Sequence, residues 1–98
     1  IIGDVMGLIT ASTVTADGVA VNKPTRVKKL YYICGGTAGS IVLKDGGASG
    51  TTVLDIPVPA SGNAEASGSL TIPEGGLKFD TNVYVDVTQV TSVTVFHG

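Results

Sequence analysis

The stretch that decides the fold is residues 83–97, which read Val-Tyr-Val-Asp-Val-Thr-Gln-Val-Thr-Ser-Val-Thr-Val-Phe-His. Its first half places valine at every second position from Val83, and the alternation returns at Val93 and Val95. Successive side chains of a β-strand point to opposite faces of a sheet. This period of two therefore predicts two strands, each with one buried face, joined by residues 89–92.

The rest of the chain repeats this pattern in shorter pieces that are separated by Gly and Pro. β-Branched residues dominate the pieces, and no window of ten or more residues combines helical spacing with capping residues. Asp17-Gly18 and residues 45–50 are predicted hairpin turns, and residues 60–68 a surface loop. The further predicted strands are residues 8–15, 19–22, 26–34, 40–44, 51–56, 69–72 and 77–79.

Eight or nine short strands without a significant helix predict an all-β fold. We expect a single antiparallel β-sandwich of jelly-roll type over residues 10–98, with a small barrel as the alternative. A chain of 98 residues suits one compact core. The predicted core consists of Leu30, Tyr32, Ile41, Leu43, Leu54, Ile56, Leu70, Ile72, Leu77, Phe79, Val83, Val85, Val87, Val93 and Val95.

The composition indicates a weakly hydrated surface. Only 14% of the residues are charged, whereas about 25% is typical of soluble domains. Much of the surface must then consist of Thr, Ser, Ala, Gly and Val, which favours contact with other proteins. A plain monomer with a hydroxyl-rich β surface is the alternative.

The charge distribution predicts neither nucleic acid nor membrane as a partner. The net charge is −2, whereas binding to nucleic-acid phosphates requires a basic face. One basic cluster exists, and we interpret it as a charged strand edge that blocks unwanted pairing. It comprises Lys23, Arg26, Lys28 and Lys29. No stretch approaches the roughly 20 apolar residues of a membrane span.

The chemistry-bearing residues predict no catalytic, cofactor-binding or metal-binding site, and no enzyme. His97 is the only histidine and Cys34 the only cysteine, so a Cys/His zinc cluster cannot be assembled. His97 also lacks an evident carboxylate to orient it as a general base. Asp45 and Asp80 are interpreted as turn residues, and Cys34 as a small buried apolar residue.

Two apolar surfaces are predicted to contact other proteins. Residues 1–9 form an apolar arm in which Asp4 is the only charge, and such a strip is seldom left exposed by monomers. The arm is expected to dock on its own sandwich, on a neighbour's sheet edge or along a shell surface. Strand 26–34 is apolar on both faces, which indicates a covered strand or an interface. The predicted interface residues are Ile1, Ile2, Val5, Met6, Leu8, Ile9, Tyr31, Ile33 and Tyr84.

The order of turns and strands from Arg26 onward carries a family resemblance. The segments concerned are residues 26–32, 36–39, 40–46, 72–79, 83–87 and 93–96. Together they resemble the small β-sandwich virion proteins found among the structural genes of tailed bacteriophages. Such proteins decorate or cement capsids, or form parts of fibres and tail assemblies.

This resemblance implies a non-enzymatic structural virion subunit, first of all a capsid decoration or cement protein. The implied partners are copies of itself, with a trimer as the first expectation, and a major capsid or other virion protein. The implied location is the virion, on the capsid surface or on an attached appendage. The alternative is a receptor- or glycan-binding module at a fibre tip or in an adhesin.

Overall fold

The computed structural model describes residues 9–60, 67–73 and 75–98, and within these ranges the chain forms nine strands and no helix. The described residues accordingly contain no helix long and apolar enough to cross a membrane. The strands are β1 (Thr10–Val14), β2 (Gly18–Val21), β3 (Thr25–Cys34), β4 (Gly39–Asp45), β5 (Thr51–Val58), β6 (Ser67–Thr71), β7 (Leu77–Phe79), β8 (Val83–Thr88) and β9 (Val90–His97).

These strands form two antiparallel sheets that pack face to face. Sheet A has the order β1-β9-β3-β6, and β7 also pairs with β3; sheet B has the order β2-β8-β4-β5. β6 and β7 follow one another along the same side of β3, because β9 occupies its other side. Counted as one interrupted strand, they complete two four-stranded sheets in the order of a jelly roll. The predicted antiparallel β-sandwich is confirmed.

Most connections cross from one sheet to the other, so the hairpin predicted at Asp17-Gly18 is wrong. β1 belongs to sheet A and β2 to sheet B. The Asp17 carboxylate instead accepts a hydrogen bond from the backbone N–H of Val87 in β8, at 2.8 Å. The hairpin predicted around residues 45–50 is confirmed, since β4 pairs with β5 there. Gly46 and Gly47 adopt the positive φ values of 109° and 92° that this turn requires.

Gln89 alone joins β8 to β9, so the predicted connection over residues 89–92 is too long. Gln89 has a φ of 58°, which turns the chain sharply from sheet B to sheet A. β9 then begins at Val90, which is buried opposite Cys34. The pairing of β3 with β9 shifts between Ile33 and Cys34. This irregularity breaks the period of two at residues 90–92, which is why the sequence pattern there resembles a loop.

Eight of the predicted core residues are buried between the sheets, and six of the other seven are partly buried and pack against this core. Leu30, Ile41, Leu43, Phe79, Val83, Val85, Val93 and Val95 are buried. Partial burial is found for Tyr32, Leu54, Ile56, Leu70, Ile72, Leu77 and Val87. Most of these belong to β5, β6 or β7, which lie at sheet edges where one side remains uncovered. The prediction omitted Val21, Val27, Val58 and Val90, and Cys34 is buried as its separate interpretation expected.

A bulge in β3 explains the burial of Val27 and corrects the interpretation of the basic cluster. Val27 pairs with His97 and Lys29 with Phe96, so Lys28 is the extra residue that reverses the alternation. The Lys28 carbonyl accepts a hydrogen bond at 2.9 Å from the N–H of Ile72, where β6 ends. Because β3 is paired on both sides, its basic residues do not form the predicted strand edge.

At one end of the sandwich, two turns are joined by reciprocal side-chain hydrogen bonds. The Asp45 carboxylate accepts hydrogen bonds from the backbone N–H groups of Asp80, Thr81 and Asn82, at 2.9, 2.8 and 3.4 Å. The Asn82 side-chain oxygen accepts hydrogen bonds from the N–H groups of Gly46 and Gly47, both at 3.1 Å. The β4–β5 and β7–β8 turns are thereby held together, as the interpretation of Asp45 as a turn residue anticipated.

Candidate protein-contact surface

On the outward side of sheet A, the part where β7 pairs with β3 carries the charged residues Arg26 and Lys78. The remaining part, formed by β1, β9, β6 and residues 29–33 of β3, is a nearly uncharged surface, which we call face A. Its residues alternate along each strand with those that face the core, and the strand register places them in rows across four strands. Only Lys29 among them is charged. Face A comprises Ala11, Thr13, Lys29, Tyr31, Ile33, Ser67, Ser69, Thr71, Ser92, Thr94 and Phe96.

The centre of face A is aromatic and aliphatic, and its surroundings carry hydroxyl groups. Tyr31 is 41% exposed, and it lies between Thr94 on β9 and Ser69 on β6. Phe96 and Ile33 are half-buried in the neighbouring rows. At the edge, the hydroxyls of Thr13 and Thr94 are 2.8 Å apart and hydrogen-bonded. An apolar centre with a polar rim, here with Lys29 as its one charge, is the arrangement typical of protein interfaces.

The outward side of sheet B, which we call face B, differs because an ion pair lies within it. Lys44 Nζ is 3.7 Å from the Asp86 carboxylate and also donates a hydrogen bond to the Ala48 carbonyl at 3.1 Å. Tyr84 lies opposite Lys44, and Val19 pairs with Tyr84. Covering face B would remove this ion pair and the nearby Asp55 from water, whereas face A carries Lys29 as its single charge, so covering face B costs more free energy.

The structure brings together only some of the predicted interface residues. Tyr31 and Ile33 share face A, whereas Tyr84 lies on face B and cannot belong to the same patch. Ile9 immediately precedes β1 and is 44% exposed. The other members of the arm, Ile1, Ile2, Val5, Met6 and Leu8, lie outside the described residues, so the arm stays a prediction.

The sequence prediction missed Phe96, the second aromatic residue of face A. The signal was available, because Phe96 alternates with Val95, which was correctly placed in the core. What the sequence did not show is that β9 pairs with β3. That pairing places Phe96 beside Lys29, one row from Tyr31.

A cleft of about 440 Å³, which we call the end cleft, lies at the end of the sandwich that carries the β2–β3 turn. Its walls come from β1, β3, β7, β9 and this turn, and its lining includes Lys23, Arg26, Lys78, Asp80 and His97. These residues are scattered in the sequence, so no spacing pattern could predict the cleft.

His97 closes the inner side of the end cleft. It is only 5% exposed, and its Nε2 atom is hydrogen-bonded to the Ser12 hydroxyl at 3.1 Å. Burial, and secondarily the charge of Lys23, lower the pKa of His97 below its ordinary value. Both effects disfavour the imidazolium form of His97.

Among the described residues, no group of three or more His, Cys, Asp or Glu side chains could hold a metal ion. Comparison of the chain with protein-family models, with curated proteins and with solved structures finds no match. The class that the fold defines is therefore an all-β sandwich of jelly-roll order, and its function has to be inferred from faces A and B and from the end cleft.

Proposed function

We propose that this protein is a non-enzymatic structural virion subunit that attaches to copies of itself and to a shell protein through face A. The more specific proposal is a capsid decoration or cement protein of a tailed bacteriophage. The observation that carries the proposal is that face A, with Tyr31, Ile33 and Phe96 at its centre, contains a single charged residue. A surface of this kind gains free energy when another protein covers it.

The energetics favour many modest contacts over one tight contact. Fully burying one large apolar side chain contributes about 1.5–3 kcal/mol, and Phe96 and Ile33 are already half-buried. One copy of face A therefore supports weak binding once the cost of association is subtracted. Symmetric repetition on a shell lattice multiplies such contacts, so weak single contacts suffice for firm attachment.

The assignment to a virion is supported by the resemblance of residues 26–96 to phage structural proteins. The jelly-roll order of the strands is compatible with it, since capsid proteins are among the proteins that use this architecture. Fold alone does not determine function, so the surface properties of face A carry the main argument.

The test uses the two tyrosines that lie on opposite faces of the sandwich. Tyr31→Glu places a charge at the centre of face A, and Tyr84→Glu does the same on face B. We expect Tyr31→Glu to weaken self-association by at least about fivefold, because an aromatic residue at an interface centre contributes more than about 1 kcal/mol. Sedimentation equilibrium measures the association constants, and circular dichroism checks that both variants stay folded.

The proposal fails if the wild-type protein stays monomeric at high concentration and does not co-sediment with phage shells. If Tyr84→Glu alone disrupts association, the contact surface is face B instead. Immunogold labelling of phage particles then distinguishes a location on the shell from a location at a fibre tip. Many symmetric copies on the shell indicate a decoration protein, and a few copies at a tip indicate a fibre component.

The second candidate is a glycan-binding module, and one observation favours it. Tyr31 is the most exposed aromatic side chain among those described, and hydroxyls of Thr94 and Ser69 flank it across the strands. Sugars stack on exposed aromatic rings and form hydrogen bonds with such neighbours. Binding on a glycan array that is lost in Tyr31→Glu, without any self-association of the wild type, would select this candidate.

A further inference from the structure

The end cleft concentrates positive charge on a chain whose net charge is negative. Three of the six Lys and Arg residues line it, namely Lys23, Arg26 and Lys78, and Asp80 is the acidic side chain in its lining. Charges of one sign around a concave site reinforce one another, and a low-dielectric wall strengthens their field. The inner wall of the end cleft has a low dielectric constant, because Phe79 and His97 are buried there.

Asp80 does not cancel this charge. It lies 3.5 Å from Lys78 Nζ, but the side chains of both residues are largely exposed, at 73% and 66%. Ion pairs at such exposed positions are weak because water screens them and the side chains lose entropy. In addition, the Asp80 backbone is held by Asp45, so the turn that carries its side chain is fixed at the rim.

From this arrangement we propose that the end cleft binds a small anionic group, either a carboxylate or a phosphate. Lys23 is the cleft residue whose positive charge acts on His97. Arg26 and Lys78 alternate with the buried residues of β3 and β7, so they add their charge from the outer rim of the cleft, where the Arg26 guanidinium suits either anionic group. The hydroxyls of Thr10 and Thr25 provide further donors. A volume of about 440 Å³ lies within the range of small-ligand sites. This proposal is independent of the contact function of face A.

His97 reports directly on occupancy of the cleft. Its pKa is lowered by burial and by Lys23, with Arg26, Lys78 and Asp80 lining the same cleft. A bound anion stabilises the imidazolium form, so it raises the pKa of His97. By the same linkage, protonation of His97 strengthens anion binding, and affinity increases as the pH falls.

The experiment follows the His97 ring protons by NMR as a function of pH, in chloride, acetate and phosphate at one ionic strength. We expect His97 to titrate at higher pH in the presence of the bound anion than in chloride. A response to phosphate alone indicates a phosphate ligand, and a similar response to acetate indicates a carboxylate. Identical titration curves in all three salts would overturn the proposal.

Two glutamine variants separate specific binding from general screening. Lys23→Gln removes a charge from the cleft, and Lys29→Gln removes the same charge from face A, away from it. We expect Lys23→Gln to weaken anion binding by about fivefold or more, since a nearby charge contributes at least about 1 kcal/mol, and Lys29→Gln by less than about twofold. Lys23→Gln should also raise the pKa of His97 in chloride. Equal weakening by both variants would show that no site exists.

Discussion

Val85 and Asp86 are neighbours in β8 whose side chains lie in opposite environments. Val85 is fully buried between the sheets, and Asp86 lies on face B in the ion pair with Lys44. We expect Val85→Asp to lower the free energy of unfolding by about 3 kcal/mol or more, because an unpaired carboxylate would be buried. Asp86→Asn should change it by less than about 0.5 kcal/mol, since the pair is long at 3.7 Å and partly open to water, which screens it. Urea denaturation measures both values.

Comparable losses in the two variants would mean that the register of β8 against β2 and β4 is wrong. The strand is well suited to this comparison because β8 is paired on both sides, so its inward and outward positions differ sharply in burial.

At the scale of residues, alternation predicts which side chain points inward but not how deeply it is covered. Leu43 and Leu54 show the difference, because they pair with each other and both face the core. Leu43 lies in a central strand and is fully buried, whereas Leu54 lies in edge strand β5 and is only partly buried. The alternation of apolar residues indicates whether a side chain points inward, and the position of its strand in the sheet determines how much of that side chain is buried. No local stretch of the sequence indicates whether its strand will be central or at the edge of the sheet.

Gly39 and Gly36 provide a test of how closely two elements approach. A Cβ atom on Gly39 would overlap the Thr88 carbonyl at the end of β8, whereas one on Gly36 would point into open space. Neither glycine has a positive φ. We expect Gly39→Ala to lower stability by about 1–3 kcal/mol through steric overlap. Gly36→Ala should be neutral or stabilising by up to about 1 kcal/mol, because it restricts the unfolded chain.

Thermal unfolding followed by circular dichroism distinguishes these outcomes. For a domain of this size, about 1 kcal/mol corresponds to a change in Tm of roughly 4–8 °C. Two variants with the same Tm would contradict the close packing of β4 against the end of β8.

The Asp45 contacts predict a specific dependence of stability on pH. Hydrogen bonds from the backbone of Asp80 first, then of Thr81, lower the pKa of Asp45 below its ordinary value of 3.8, and burial opposes them. The folded state therefore binds a proton less readily than the unfolded state. The stabilisation is complete above pH 3.8 and is lost as the pH falls through the lowered pKa.

We expect Asp45→Asn to lower the Tm at pH 7, because the amide retains only one acceptor and no charge. The difference from the wild type should shrink as the pH falls below 3.8 and the wild-type carboxylate takes up a proton. Asp55→Asn, at an exposed position of β5, controls for the loss of one negative charge. A difference in Tm that stays constant from pH 7 to pH 2 would show that ionised Asp45 does not stabilise the two turns.

At the scale of elements, most strands could be predicted from the sequence, but some connections between strands were predicted wrongly. The turn at residues 45–50 could be predicted because its glycines and its two flanking strands are adjacent in the chain. Asp17-Gly18 carries the same kind of turn signal, yet it leads into the other sheet. Dipeptide signals mark where the chain turns. They do not specify whether the next strand pairs with the previous one or packs across the core.

At the scale of the whole molecule, the fold class followed from the sequence and the strand order did not. Period-two patterning and the absence of helical windows are local properties, and they predicted the sandwich. The pairs that create face A and the end cleft join distant segments; Ser12 and His97, for example, are 85 residues apart. Both surfaces depend on these pairings, so neither could be assembled from the sequence. Tyr31 and Ile33 could be proposed as interface residues, and the outward position of Phe96 could have been read from its alternation with Val95, but its place beside β3 and the cleft could not.

The central position of β9 in sheet A also affects how the protein folds while the ribosome synthesises it. β9 comes last among the nine strands, yet it lies between β1 and β3 and supplies the buried residues Val93 and Val95. Until it emerges from the exit tunnel, β1 and β3 share no neighbour, and their apolar side chains face water. Translation at about 5–20 residues per second keeps the nascent chain in this exposed state for seconds. Sheet A therefore cannot close before β9 has emerged, and chaperones have their main opportunity to bind the domain in that interval.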